Sequence, residues 1–161
     1  MKNNKLVYFS GSVLGKLNQP QQLAIVLVNH IRSKGVEVLD VYAASRKYYD
    51  ESEEIQKAKH QSEPWFTVET VDINDIDRST HLIALVNGPS HGVGMEIQRA
   101  VDNVEMGKSR IKILCLVQER RLKEISWMIR GKQKKEYPNF SLKTYKNLED
   151  AKKIVDSFLD I

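Results

Sequence analysis

Apolar and polar positions along the chain follow two rhythms that alternate from end to end. The run KLVYFSG, Lys5 to Gly11, is continuously apolar before it meets a glycine, and it predicts a buried strand. NQPQQLAIVLVNHIRSKG then repeats its apolar residues at helical spacing, with Asn18 as candidate N-cap, Pro20 in the first turn and Gly35 as the stop. VEVLDVY predicts a second strand. The charged, tyrosine-rich stretch from Ala43 to Lys59 predicts a weakly patterned helix, and EPWFTVETVDINDIDRST a further helix with Pro64 near its start and acids along one side. HLIALVN and IKILCLV are the third and fourth strands, with a helix from the glycine-rich turn to about Gly107 between them. RRLKEISWMIRG predicts a short helix or loop, FSLKTY a fifth strand, and NLEDAKKIVDSFLDI a closing helix capped by Asn147, with Glu149 and Asp150 in its first turn.

Continuously apolar strands separated by helices imply a parallel sheet buried on both faces. The expected architecture is therefore a doubly wound, Rossmann-like or flavodoxin-like α/β domain with five parallel strands, one domain over residues 1–161. Ligand sites in such folds lie beyond the carboxyl ends of the strands. The turns SGSVLGK and NGPSHGVG, after the first and third strands, then face one crevice.

Composition narrows the partners. A hydrophobic fraction of 41% and a charged fraction of 29% are those of a globular domain, and no apolar run approaches the roughly 20 residues of a membrane span. The expected location is the cytosol. The formal charge of +4 is modest and gathers in RGKQKKEYPNF, without the aromatic or zinc-finger patterns of nucleic-acid readers, so polymeric nucleic acid is disfavoured. The single cysteine, Cys115, lies in an apolar run and reads as a small buried hydrophobe. His81 and His91 lack ligand partners at metal spacing, and Trp65 and Trp127 read as packing residues. Neither metal nor cofactor is expected.

The chemistry concentrates at the two turns. Gly11, Ser12 and Lys16 in the first, and Ser90, Gly92 and Gly94 in the second, supply small residues, hydroxyls and a cation suited to an anion at a helix start. Neither turn is a Walker A or a complete G-x-G-x-x-G motif. Glu96 follows at once and is expected in the first turn of its helix, where a dipole-favoured cap acid is the alternative to a reactive carboxylate. Asp72, on the acidic helix, and Tyr8, near the end of the first strand, can approach the same crevice. Two carboxylates with a phenol suit glycosidic-bond chemistry.

Three blocks, YFSGS at Tyr8 to Ser12, PSHGVGMEIQRAV at Pro89 to Val101 and SWMIRG at Ser126 to Gly131, resemble the nucleoside 2-deoxyribosyltransferase superfamily. The likeness is nearest to its 2′-deoxynucleoside 5′-phosphate N-hydrolase branch. The resemblance implies hydrolysis of a 2′-deoxynucleoside 5′-monophosphate to free base and 2-deoxyribose 5-phosphate. Glu96 would be the nucleophile, supported by Asp72 and Tyr8. Ser12 and Ser90 would hold the phosphate, with Ser126 reaching in from the other subunit of a homodimer. Leu14 stands where the N-hydrolases place an arginine, and Val41 where they place a base-side histidine. Base exchange by a deoxyribosyltransferase, or nucleotide binding without turnover, are the alternatives.

Overall fold

The computed structural model describes residues 5–11, 20–39 and 62–161. Asn18, the stretch 43–59, the end of the second strand, and Ser12, Leu14, Lys16 and Val41 lie outside the described residues. The elements in chain order are β1 (Leu6–Ser10), α1 (Pro20–Ser33), β2 (Glu37–Leu39), α2 (Pro64–Arg78), β3 (His81–Leu85), α3 (His91–Glu105), β4 (Lys112–Gln118), a 3-10 turn (Glu119–Arg121), α4 (Trp127–Gly131), β5 (Phe140–Tyr145) and α5 (Leu148–Leu159). The five strands pair in parallel in the order β2-β1-β3-β4-β5, the doubly wound arrangement expected from the apolar runs. The strand order reverses direction between β1 and β3, the point where ligand crevices form at the carboxyl ends of the strands in such sheets.

Strand residues alternate between faces, and the core follows that period of two. Val7, Phe9, Ile83, Leu85, Leu114 and Leu116 pack with Leu27 and Ile31 of α1 and Val155 and Leu159 of α5. Tyr8, Leu82, Ala84, Ile113, Cys115 and Val117 face the other way, against Ile76 of α2 and Ile97, Ala100 and Val101 of α3. Each fully buried side chain of this size stabilises the fold by about 1.5–3 kcal/mol over leaving it exposed. The alternation also aims Tyr8 and Ser10 at the α2–α3 face.

Element ends follow local chemistry. Gly35 takes φ +77 just past α1, a left-handed conformation that side chains with a Cβ rarely adopt. Asn147 caps α5 as expected, its side chain accepting from the Asp150 N–H at 2.9 Å. Ser90, not a residue nearer Glu96, caps α3 by accepting from the Val93 N–H. The helix therefore starts at His91, and Glu96 belongs to its second turn, contrary to the expectation of a first-turn acid. Cys115 is fully buried, and burial pushes its thiol up to about 12. The two tryptophans do not pack as expected: Trp65 is 57% exposed, its ring 6.2 Å from that of Phe66, and Trp127 is 84% exposed. His81 is buried at the start of β3, its Nδ1 2.8 Å from the Thr80 hydroxyl and its ring edge-on to Phe158. No described helix is long and apolar enough to cross a membrane.

Candidate active site

The end of β1 and two helices converge on one carboxylate. Glu96, in α3, accepts a hydrogen bond from the Tyr8 hydroxyl on Oε1 at 3.1 Å, and one from the Ser10 hydroxyl on Oε2. Tyr8 and Ser10 are two residues apart in β1 and so share a face, while Ser10 pairs laterally with Ala84 of β3. Asp72, on α2, completes the cluster. Its Oδ1 is buried and has no hydrogen-bond partner among the described residues, which leaves a polar atom inside the site to be satisfied by whatever enters.

Burial governs the ionisation of all three titratable groups. It raises Glu96 above the usual carboxylate range, and the hydroxyls of Ser10 and Tyr8 pull it back by stabilising the anion. Asp72 is pushed up to about 7, first by burial and then by the charge of Glu96, with the Tyr8 hydroxyl opposing and Asp75 and Glu69 adding. The Tyr8 phenol is driven far above its ordinary value by burial and by the Glu96 and Asp72 charges, so it stays protonated as a donor. One acid with both oxygens held by donors beside a second that titrates near neutrality is a division of labour suited to nucleophile and proton carrier.

The helices carrying the two acids are tied together away from the chemistry. Arg99 forks onto Asp77, with Nε donating to Oδ1 at 2.8 Å and a terminal nitrogen to Oδ2 at 2.6 Å. Asn103 donates to the same Asp77 Oδ1 at 2.7 Å. Asn87 fixes the turn after β3: its side chain accepts from the Gln118 N–H at 2.7 Å and donates to the Tyr145 hydroxyl at 2.5 Å, and its carbonyl accepts from Arg121 at 2.9 Å.

The fold around this cluster has counterparts of known structure. One is the CMP N-glycosidase BcmB of Clostridium botulinum, 20% identical, with a TM-score of 0.62 over 95% of this chain and 99% of that one. The chain shares the fold of that protein. A conserved protein from Enterococcus faecalis V583 shares it at 16% identity and a TM-score of 0.53, covering 95% of this chain and 98% of that one. No protein-family model and no curated protein matches the sequence.

Within this fold, the structure brings Tyr8, Asp72 and Glu96 together. Ser10, absent from the sequence-derived candidates, joins them. A buried serine two positions after Tyr8 carries the period-two signal that would have found it. Gly11 follows directly at the carboxyl end of β1. Ser90 sits at the start of α3, where its hydroxyl takes the Val93 N–H and its carbonyl the Gly94 N–H. The N–H groups of His91 and Gly92 are left without an acceptor in the helix. Beyond its own helix, an added Cβ at Gly92 or Gly94 would meet no atom of the described residues within 4 Å. Ser126 is exposed and caps α4, accepting from the Met128 N–H at 3.2 Å. Among the described residues, no group of three or more His, Cys, Asp or Glu side chains is placed to hold a metal ion.

Proposed function

We propose that the protein cleaves the N-glycosidic bond of nucleoside 5′-monophosphates, with 2′-deoxynucleotides as preferred substrates. The observation that carries this reading is the Glu96 carboxylate, held at both oxygens by Tyr8 and Ser10 beside an Asp72 that titrates near neutrality. The likeness to a CMP N-glycosidase supports it. Glu96 attacks C1′ of the sugar, and the C1′–N bond breaks with its electron pair leaving on the base. Asp72 is the group suited to deliver a proton to that base and then to take one from the water that attacks C1′. That second step frees Glu96 and releases the sugar 5-phosphate.

The start of α3 is the proposed phosphate seat. Backbone N–H groups at a helix start attract a dianion, and the open backbone at Gly92 and Gly94 lets it approach. Glycine inside a helix costs about 1 kcal/mol against alanine, and no packing against the other described elements requires it here. Ser126 is proposed to complete this seat from a second copy of the chain, a role supported by its exposure on a helix that also presents Trp127 and Met128 to the outside.

A chromatographic screen for free base, run over deoxynucleoside and ribonucleoside monophosphates and the matching nucleosides, tests the reading. Base is expected from the deoxynucleotides, and none from the Glu96→Ala variant, which still binds them. CMP, the substrate in the name of the similar C. botulinum enzyme, carries a ribose, so equal rates on ribo- and deoxynucleotides would overturn the sugar preference alone. Formation of a new nucleoside when a second free base is added would instead favour base exchange through the same intermediate. Ligand-induced thermal stabilisation without any base release would favour a binding module.

A further inference from the structure

Glu96 is engaged from two elements in different ways. From β1 come two neutral donors, Tyr8 and Ser10; from α2 comes the Asp72 carboxylate, with Asp75 and Glu69 adding to the negative field around it. Burial opposes a charge on Glu96, and the Ser10 and Tyr8 hydroxyls counter it. Tyr8 has a second task, because its hydroxyl also bears on Asp72, whereas the Ser10 hydroxyl donates to Glu96 and, among the described residues, to no other side chain. Ser10 is 2% exposed at the end of a strand whose other residues are apolar. An alanine would suit that position for packing, and a hydroxyl is stable there only because it has an acceptor.

We propose that Ser10 is a positioning residue for Glu96, whose hydroxyl fixes the carboxylate in one orientation and keeps it ionised for attack. Each carboxylate oxygen has two lone-pair sites. With one on Oε2 taken by Ser10 and one on Oε1 by Tyr8, the carboxyl plane is set by two donors on the same strand face. Removing the Ser10 donor leaves a buried carboxylate steered by Tyr8 alone, facing an unrelieved neighbour in Asp72. The catalytic consequence rests on the glycosidase reading, but the effect on Glu96 does not.

The test is a carbon-13 NMR titration of the Glu96 carboxyl in the free protein, assigned by its loss in Glu96→Gln. Ser10→Ala is expected to raise the midpoint by about one pH unit, as losing a hydrogen bond to a charged group should. Ser10→Thr keeps the hydroxyl and is expected to restore the wild-type midpoint. Ser10→Cys, close to serine in shape but a weaker donor, is expected to fall between, and it decides the matter if the alanine variant does not fold. An unchanged midpoint in Ser10→Ala, or in Ser10→Cys in its place, would overturn the proposal. Where base is released, the acid limb of the pH–rate profile should move by the same amount, with rates converging on wild type at higher pH. A shifted midpoint with no base released from any nucleotide refutes the glycosidase reading and leaves Ser10 in its role. Base release with an unmoved midpoint does the reverse.

Discussion

Asp72 and His81 are both held away from their ordinary ionisation by burial, and the consequences for stability have opposite signs. Asp72 is raised to about 7, so between the ordinary carboxylate range and pH 7 the native chain holds a proton that the unfolded chain has lost. Its burial therefore weakens the fold progressively as pH rises through that window, and fully above it. His81 is lowered to about 4, so between pH 6.5 and 4 it is the unfolded chain that holds the extra proton, and stability is lost as pH falls. Asp72→Asn is expected to melt above wild type at pH 8, by about 2 kcal/mol once partial solvent screening is allowed for, with the gap closing by pH 4. The same variant should lose on the order of 10²–10⁴ in base-release rate if Asp72 moves the proton. His81→Asn should instead reduce the loss of stability on acidification from pH 6.5 to 4. Urea midpoints measured across pH 4 to 8 check both signs at once, and parallel curves for either variant and wild type would reject that assignment.

At the scale of elements, the pair that matters is α2 against α3, because each carries one acid. The Asp77–Arg99 fork is largely at the surface, where such pairs contribute up to about 1 kcal/mol, so its value lies in geometry. Arg99→Lys keeps the charge and loses the fork. It is expected to leave the melting temperature nearly unchanged and to lower kcat on the order of tenfold, since small displacements between reacting groups are costly. An unaltered kcat would show that helix packing alone sets the spacing. The elements themselves were legible where the apolar signal was continuous: β3, β4 and β5 fall inside HLIALVN, at IKILCLV and on FSLKTY. Legibility failed where one residue decides between two local structures. Ser90 drew the start of α3 back to His91, and Ser10 reads as part of a turn until strand alternation shows that it points inward with Tyr8. Trp127 reads as a packing residue in the sequence but is exposed, because a lone aromatic in a five-residue helix has no periodic partner to say which side is buried.

For the whole molecule, the crevice at the β1–β3 reversal holds the acids, while Ser126 stands on a separate exposed helix. The proposed shared site makes a specific demand on assembly. Sedimentation should find a dimer at working concentrations, and Ser126→Ala should raise KM for a deoxynucleoside monophosphate while barely changing it for the nucleoside. Mixing inactive Glu96→Ala with Ser126→Ala chains should form heterodimers in which one site carries both defects and the other neither, restoring activity. A fully active monomer would rule out sharing.

Cys115 is the only cysteine in the chain, and it lies fully buried in β4, between β3 and β5. It therefore acts as a clock for opening of the sheet. A thiol reagent can modify it only in molecules whose α2–α3 layer has lifted off that face of the sheet, so the labelling rate under mild conditions reads the free energy of that opening without any denaturant. Substrate binding at the crevice should slow the clock by the factor through which it stabilises the folded state. Labelling as fast as in a free peptide would mean that the middle of the sheet breathes far more than its burial implies.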